Sequence, residues 1–228
     1  MPVLPRLVPA ARICNTRRHM EPVVHALVTG FDPFGGEAIN ASREAVRRLP
    51  PRLGDIAINT HVLPTSYARS VPELEAAILR TRPAIVLCVG QAGERTVLNV
   101  ERVAINVQDA ALPDNDGEQP ADQPIAAGGA PARFATLPVK QAVAALHAAG
   151  LPAVVSNSAG TFVCNHVFYG LMQLAARRRH RFRAGFLHVP WLARPDERGA
   201  EAAMTLDDIV RGIEVILQVS SAASERAP

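Results

Sequence analysis

Ala84-Ile85-Val86-Leu87-Cys88-Val89, running directly into Gly90-Gln91-Ala92-Gly93, is the stretch that decides the fold. It has no polar face, so it cannot lie half in water. An apolar run of this length, closed by glycines, is a strand covered on both sides, as parallel strands packed between helices are. Ala153 to Ser156 and Ala184 to Val189 repeat the pattern, and Val23 to Thr29 and Ile56 to Leu63 add two further strands. Between them lie stretches of helical period: Ser42 to Leu49, Val71 to Arg80, Val139 to Ala149, Cys164 to Arg179 and Leu206 to Val219. Ser70 with Glu73, and Thr205 with Asp208, have the spacing of capping boxes. The alternation predicts an α/β fold with a mostly parallel central sheet covered by helices. Only Gly90 to Leu137 breaks the rhythm, which implies either a functional excursion or a small hairpin layer at one end of the sheet.

At 228 residues the chain suits one domain with one sizeable core, spanning residues 20 to 220. Residues 1 to 19 carry prolines, arginines and scattered apolar residues without the continuous apolar stretch of a secretion signal, and read as a disordered extension or a start site placed too early. Residues 221 to 228 read as a frayed tail. No apolar run approaches the roughly 18 residues that span a membrane. The net charge of +3 and pI of about 9.1 suggest nucleic acid only until the charges are located. They concentrate in the extension and in Arg177-Arg178-Arg179-His180-Arg181, where they complement a helix end. The aromatics cluster in loops and are not interleaved with Lys and Arg, which argues against a nucleic-acid partner. Cys14, Cys88 and Cys164 have no metal-ligand spacing, so no metal or other cofactor is expected. Their odd number suits free thiols in a reducing cytoplasm.

In an open α/β sheet, ligands bind beyond the carboxyl ends of the strands. Four loops there are unusual: Gly30-Phe31-Asp32-Pro33-Phe34-Gly35-Gly36, Gly90-Gln91-Ala92-Gly93, Asn157 to His166, and His188-Val189-Pro190-Trp191. Cys164 sits where a turn hands over to a helix, and free amides and the helix dipole should there lower its pKa. His166, two positions on, is poorly placed to activate it and reads as a wall residue. His188, at a strand end, is the better base. A histidine base needs a partner on its second nitrogen; Glu101, Asp109, Asp114 and Asp116 are all candidates, and spacing does not choose among them.

These motifs together resemble the pyroglutamyl peptidases of the bacterial and archaeal type. The resemblance rests on Leu27 to Gly36, Gly90 to Gly93, Glu101 to Asn106, Pro113 to Gly117, Ser158 to Asn165 and His188-Val189-Pro190. It implies Glu101, Cys164 and His188 as the catalytic triad of a cysteine exopeptidase acting on peptides with an N-terminal pyroglutamate. It implies Phe31, Phe34 and Phe162 as walls for the lactam ring, with Asn40 and Gln91 at its rim. It further implies a three-layer α/β/α sandwich and a homotetramer. Glu94, Asn99 and Ala111 depart from the pattern, with Gly, Ser or Thr, and Arg expected there. Two other readings compete: a cysteine amidase acting on a different acyl group, and a catalytically silent protein that binds small molecules at the same edge.

Overall fold

The computed structural model describes residues 23–177, 182–193 and 203–224. The N-terminal extension, Cys14, and the basic run from 178 to 181 lie outside the described residues. The described chain forms β1 (Val24–Phe31), α1 (Ala41–Arg48), β2 (Arg52–Leu53), β3 (Ile56–Leu63), α2 (Ser70–Thr81), β4 (Ile85–Gln91), β5 (Leu98–Glu101), β6 (Val103–Ile105) and β7 (Ala132–Phe134). It continues with α3 (Val139–Ala148), β8 (Ala153–Ser156), α4 (Val163–Ala176), β9 (Arg183–Val189), β10 (Trp191–Leu192), β11 (Ala203–Met204) and α5 (Leu206–Ser224).

The central sheet has seven strands in the order β2-β3-β1-β4-β9-β5-β8. Parallel pairing dominates, and only β2 on β3 and β5 on β9 run antiparallel. β4 is buried along its whole length, as its apolar sequence demands. Helices α1, α3 and α5 cover one face, burying Ala45, Leu146, Ile213 and Leu217 against Val28, Leu87 and Leu187. Helices α2 and α4 cover the other, burying Leu74, Ile78, Phe168 and Tyr169 against Leu27, Cys88 and Phe186. The chain is therefore a three-layer α/β/α sandwich, and the single core expected from length is two apolar layers divided by the sheet.

Four local differences from the sequence reading have physical causes. β1 and β4 run on through Phe31 and Gln91, so residues read as loop are strand ends that hold the site. The excursion contributes β5 to the central sheet as well as the small β6–β7 ladder. Ser70 and Glu73 form no capping box: the N-cap of α2 is Arg69, in helical backbone and without a side-chain cap bond. Instead the Arg69 amide donates to the Ser66 hydroxyl, and Glu73 turns toward His61. The Thr205 and Asp208 pair does form, with the Asp208 amide donating to Thr205 Oγ1 at 3.1 Å and the hydroxyl donating back at 2.8 Å. Finally, α5 passes Ser220 and ends at Ser224. Ser220 and Ser221 are buried, so the order extends past the boundary read from composition.

Candidate active site

The C-terminal ends of β1, β3, β4 and β9 share one edge, as the parallel registers fix. His188 lies directly opposite Gly90 of β4 on one side and Asn99 of β5 on the other. Side chains of paired positions share a face, so Gly90, Asn99 and His188 all face the layer containing α4. Glu101, two residues beyond Asn99, faces the same way, and its Oε1 lies 2.9 Å from His188 Nδ1. Both groups are shut away from water, Glu101 at 0% and His188 at 3% exposure. A carboxyl group so buried needs a hydrogen-bond partner, and its contact with Nδ1 leaves Nε2 as the other nitrogen of the His188 ring. The second carboxylate oxygen, Oε2, is buried without a hydrogen-bond partner.

The rival carboxylates are committed elsewhere. Asp114 accepts from the amides of Tyr67, Asp116 and Glu118. Asp116 binds Arg69 at 2.7 Å and Ser66 at 2.6 Å, and that guanidinium, then the hydroxyl, hold its carboxyl at about 2. Asp109 accepts from the Asp122 amide, and its backbone pairs with Thr161.

Cys164 lies in the first turn of α4, whose N-cap, Phe162, supplies no side-chain acceptor. First-turn amides have no intrahelical partner, so those near Cys164 are open to a ligand oxygen. The sulfur hangs over Gly90: a methyl group there would stand 2.7 Å from Cys164 Sγ and 2.9 Å from Phe186 Cζ. The Phe186 ring in turn lies 4.9 Å from that of His188. The sulfur and the imidazole thus converge on one patch of the sheet. The electrostatics run opposite to the expectation for Cys164. Burial pushes its thiol up, to about 12, and the neighbouring Glu101 and Cys88 add to the effect. Cys88 is also pushed to about 12, by burial, which fits its expected role as an inert core residue.

The aromatic residues behave differently from one another. Phe34 and Phe162 stack at 5.6 Å and form a wall. Phe31 is core, 6.3 Å from Phe186, and supports the site from behind. Asn40, expected at the rim, is buried and caps α1. Its Oδ1 accepts from the Ser42 amide and hydroxyl, and its Nδ2 donates to the Asp32 carbonyl. Gln91 ties the end of β4 to α1 by accepting from the Ala41 amide at 2.6 Å. Tyr67 is the wall residue that sequence reading missed. Its ring meets Phe162 edge-on at 5.8 Å and His166 at 5.3 Å. Tyr67 follows β3 on the same edge, so the strand-end rule, applied to that strand, points to it. His166 packs against Tyr67, with Nδ1 3.0 Å from Gln108 Oε1, and burial lowers its pKa to about 4.

An open groove of about 920 Å³ leads away from Phe34 and Gln91 between Glu37, Glu94, Leu112 and Trp191. Among the departures, Glu94 and Ala111 are exposed, and Asn99 is buried, held by Arg95 Nη1 at 2.9 Å. Among the described residues no cluster of His, Cys, Asp or Glu could hold a metal ion, and no helix is long and apolar enough to cross a membrane.

A family model described as pyroglutamyl peptidase matches residues 24–223. The chain belongs to the pyroglutamyl peptidase family. Within the family, it is 51% identical over 193 residues to pyrrolidone-carboxylate peptidase 1 of Streptococcus pneumoniae, covering 84% of this chain and 90% of that one. The structure resembles pyroglutamyl peptidase I of Bacillus amyloliquefaciens with a TM-score of 0.84 at 41% identity, over 87% of this chain and 97% of the other. It is also similar to the pyrrolidone carboxyl peptidase of Thermococcus litoralis, with a TM-score of 0.84 at 33% identity, over 89% and 96% of the two chains.

Proposed function

We propose that the chain is a cysteine exopeptidase that hydrolyses the amide bond after an N-terminal pyroglutamyl residue, with Cys164 as nucleophile, His188 as acid and base, and Glu101 as the orienting carboxylate. The observation that carries the reading is the buried Glu101–His188 pair beside Gly90, whose missing side chain leaves the space that the Cys164 sulfur occupies. Pyroglutamate is a neutral lactam without a free α-amine. Its site needs flat apolar walls and no carboxylate, which suits Phe34, Phe162 and Tyr67.

The proton of the Cys164 thiol passes to His188 Nε2 as the sulfur attacks the pyroglutamyl carbonyl carbon. First-turn amides of α4 receive the tetrahedral oxyanion. The C–N bond then breaks as His188 returns the proton to the departing amine, leaving a thioester. Water attacks that thioester while His188 takes its proton, and release of pyroglutamic acid restores the thiol. Glu101 keeps the imidazole in the required tautomer throughout.

The test is release of a fluorescent amine from pyroglutamyl, prolyl and glutaminyl derivatives, with and without a thiol-blocking reagent. Hydrolysis confined to the pyroglutamyl derivative and abolished by the reagent is the expected result; a Cys164→Ser variant with full activity overturns it. The same reading carries a homotetramer working in a reducing cytoplasm. Free Cys88 and Cys164 support the reducing setting, and exposed Leu79, Phe134 and Val154 offer apolar surface for association. Light scattering should give about four times the 24.4 kDa chain mass.

A further inference from the structure

Phe34, Phe162 and Tyr67 pack together along one side of the site, and an open groove runs on from Phe34 and Gln91. Gly35, Gly36, Glu37, Glu94 and Leu112 are all exposed there. A substrate whose lactam ring lies against those aromatics must send the rest of its chain outward. The groove shares Phe34 and Gln91 with the site, and so provides a path. Its charge is one-sided. Glu37 and Glu94 line it, and among the described residues neither makes an ion pair and no Lys or Arg lines the groove. This contrasts with a chain whose net charge is +3. Trp191 forms its floor beside Gly93, which has no side chain where the indole packs over it. An indole face flanked by carboxylates suits a cation on an aliphatic stem: the stem lies on the ring, and the charge reaches the acids.

We propose that this groove receives the residues that follow pyroglutamate and selects peptides with Lys or Arg there over peptides with Asp or Glu. The proposal rests on the exopeptidase reading above and specifies its substrate class. Desolvation at the groove is slight and the acids are exposed, so the preference is electrostatic, modest and sensitive to salt.

Trp191 is the one tryptophan of the chain, and its fluorescence reports occupancy of the groove without turnover. The experiment measures kcat/KM for pyroglutamyl-Lys, pyroglutamyl-Ala and pyroglutamyl-Glu peptides in low salt. It also titrates the same peptides into the Cys164→Ala variant by tryptophan emission. The expected Lys-to-Glu ratio is about tenfold, shrinking to about twofold in 0.5 M salt and in the Glu37→Gln/Glu94→Gln double variant, in both readouts. Equal rates and affinities for the Lys and Glu peptides, with the Ala peptide hydrolysed, overturn the proposal and leave the exopeptidase reading standing. A preference untouched by the double variant overturns it as well. Failure to hydrolyse even the Ala peptide removes the exopeptidase reading, and the emission titration then decides groove selectivity by itself.

Discussion

Gly90 is a glycine because two neighbours already occupy the space its side chain would need, and one of them is the Cys164 sulfur. In a Gly90→Ala variant the new methyl must push back either the sulfur or the Phe186 ring, and that ring touches His188. Turnover should therefore fall by about a hundredfold, because a displacement of about 1 Å at the reacting atoms suffices for that loss, while KM changes little. Steady-state kinetics on a pyroglutamyl derivative check this, and an unchanged kcat would show that the sulfur has room to move. His166 belongs to the same scale. Its folded pKa of about 4 lies below the ordinary 6.5, so between those values the unfolded chain binds a proton that the folded one refuses. The stability tied to keeping His166 neutral is complete above about pH 6.5 and drains away as pH falls toward 4. The melting temperature should decline across that window, and His166→Gln should flatten the decline; equal slopes in the two proteins would refute it.

At the scale of elements, the first turn of α4 and the strand after Glu101 are held together by one residue. Asn165, fully buried, accepts from the Ile105 amide at 3.0 Å and donates to the carbonyls of Ile105 and Val107, both at 2.9 Å. It joins the element carrying Cys164 to the excursion carrying Glu101. Asn165→Ala leaves three backbone groups without their partner and should cost about 3 kcal/mol, measured by urea denaturation. A loss below about 1 kcal/mol would mean that water replaces the amide. Elements also show how far the sequence is legible. β4 and β9 were readable because strands buried on both faces cannot hide polar residues. β5 is not, since Leu98-Asn99-Val100-Glu101 is only four residues long and buries its polar positions as well as its apolar ones, against the half-exposed pattern that alternation implies. Cys164 and His188 stood out by their places at a helix start and a strand end. Glu101 did not stand out from three other carboxylates on spacing, because its selection depends on a contact 87 positions away along the chain.

For the molecule as a whole, the two apolar layers are closed by different segments. α5 seals the α1/α3 side, packing Ile209, Ile213, Ile216 and Leu217 against the sheet. Its last turns contribute more than composition suggests: Ser220 Oγ donates to the Ile216 carbonyl at 2.6 Å, and Arg183, at the start of β9, donates to the Ala223 carbonyl at 2.9 Å. Ending the chain after Val219 should lower the melting temperature by about 5 °C, equivalent to roughly 2 kcal/mol for a protein of this size. Calorimetry of the truncated chain decides the matter, and an unaltered transition would return the domain boundary to Ser220. The strand order has a further consequence. β4 and β5 follow each other along the chain yet never touch, because β9 lies between them. Without β9, no sheet hydrogen bonds would link the β2-β3-β1-β4 half of the sheet to the β5-β8 half. The strand that closes this gap is also the one that carries His188 to Glu101, so the ion pair can exist only in a sheet whose middle is filled.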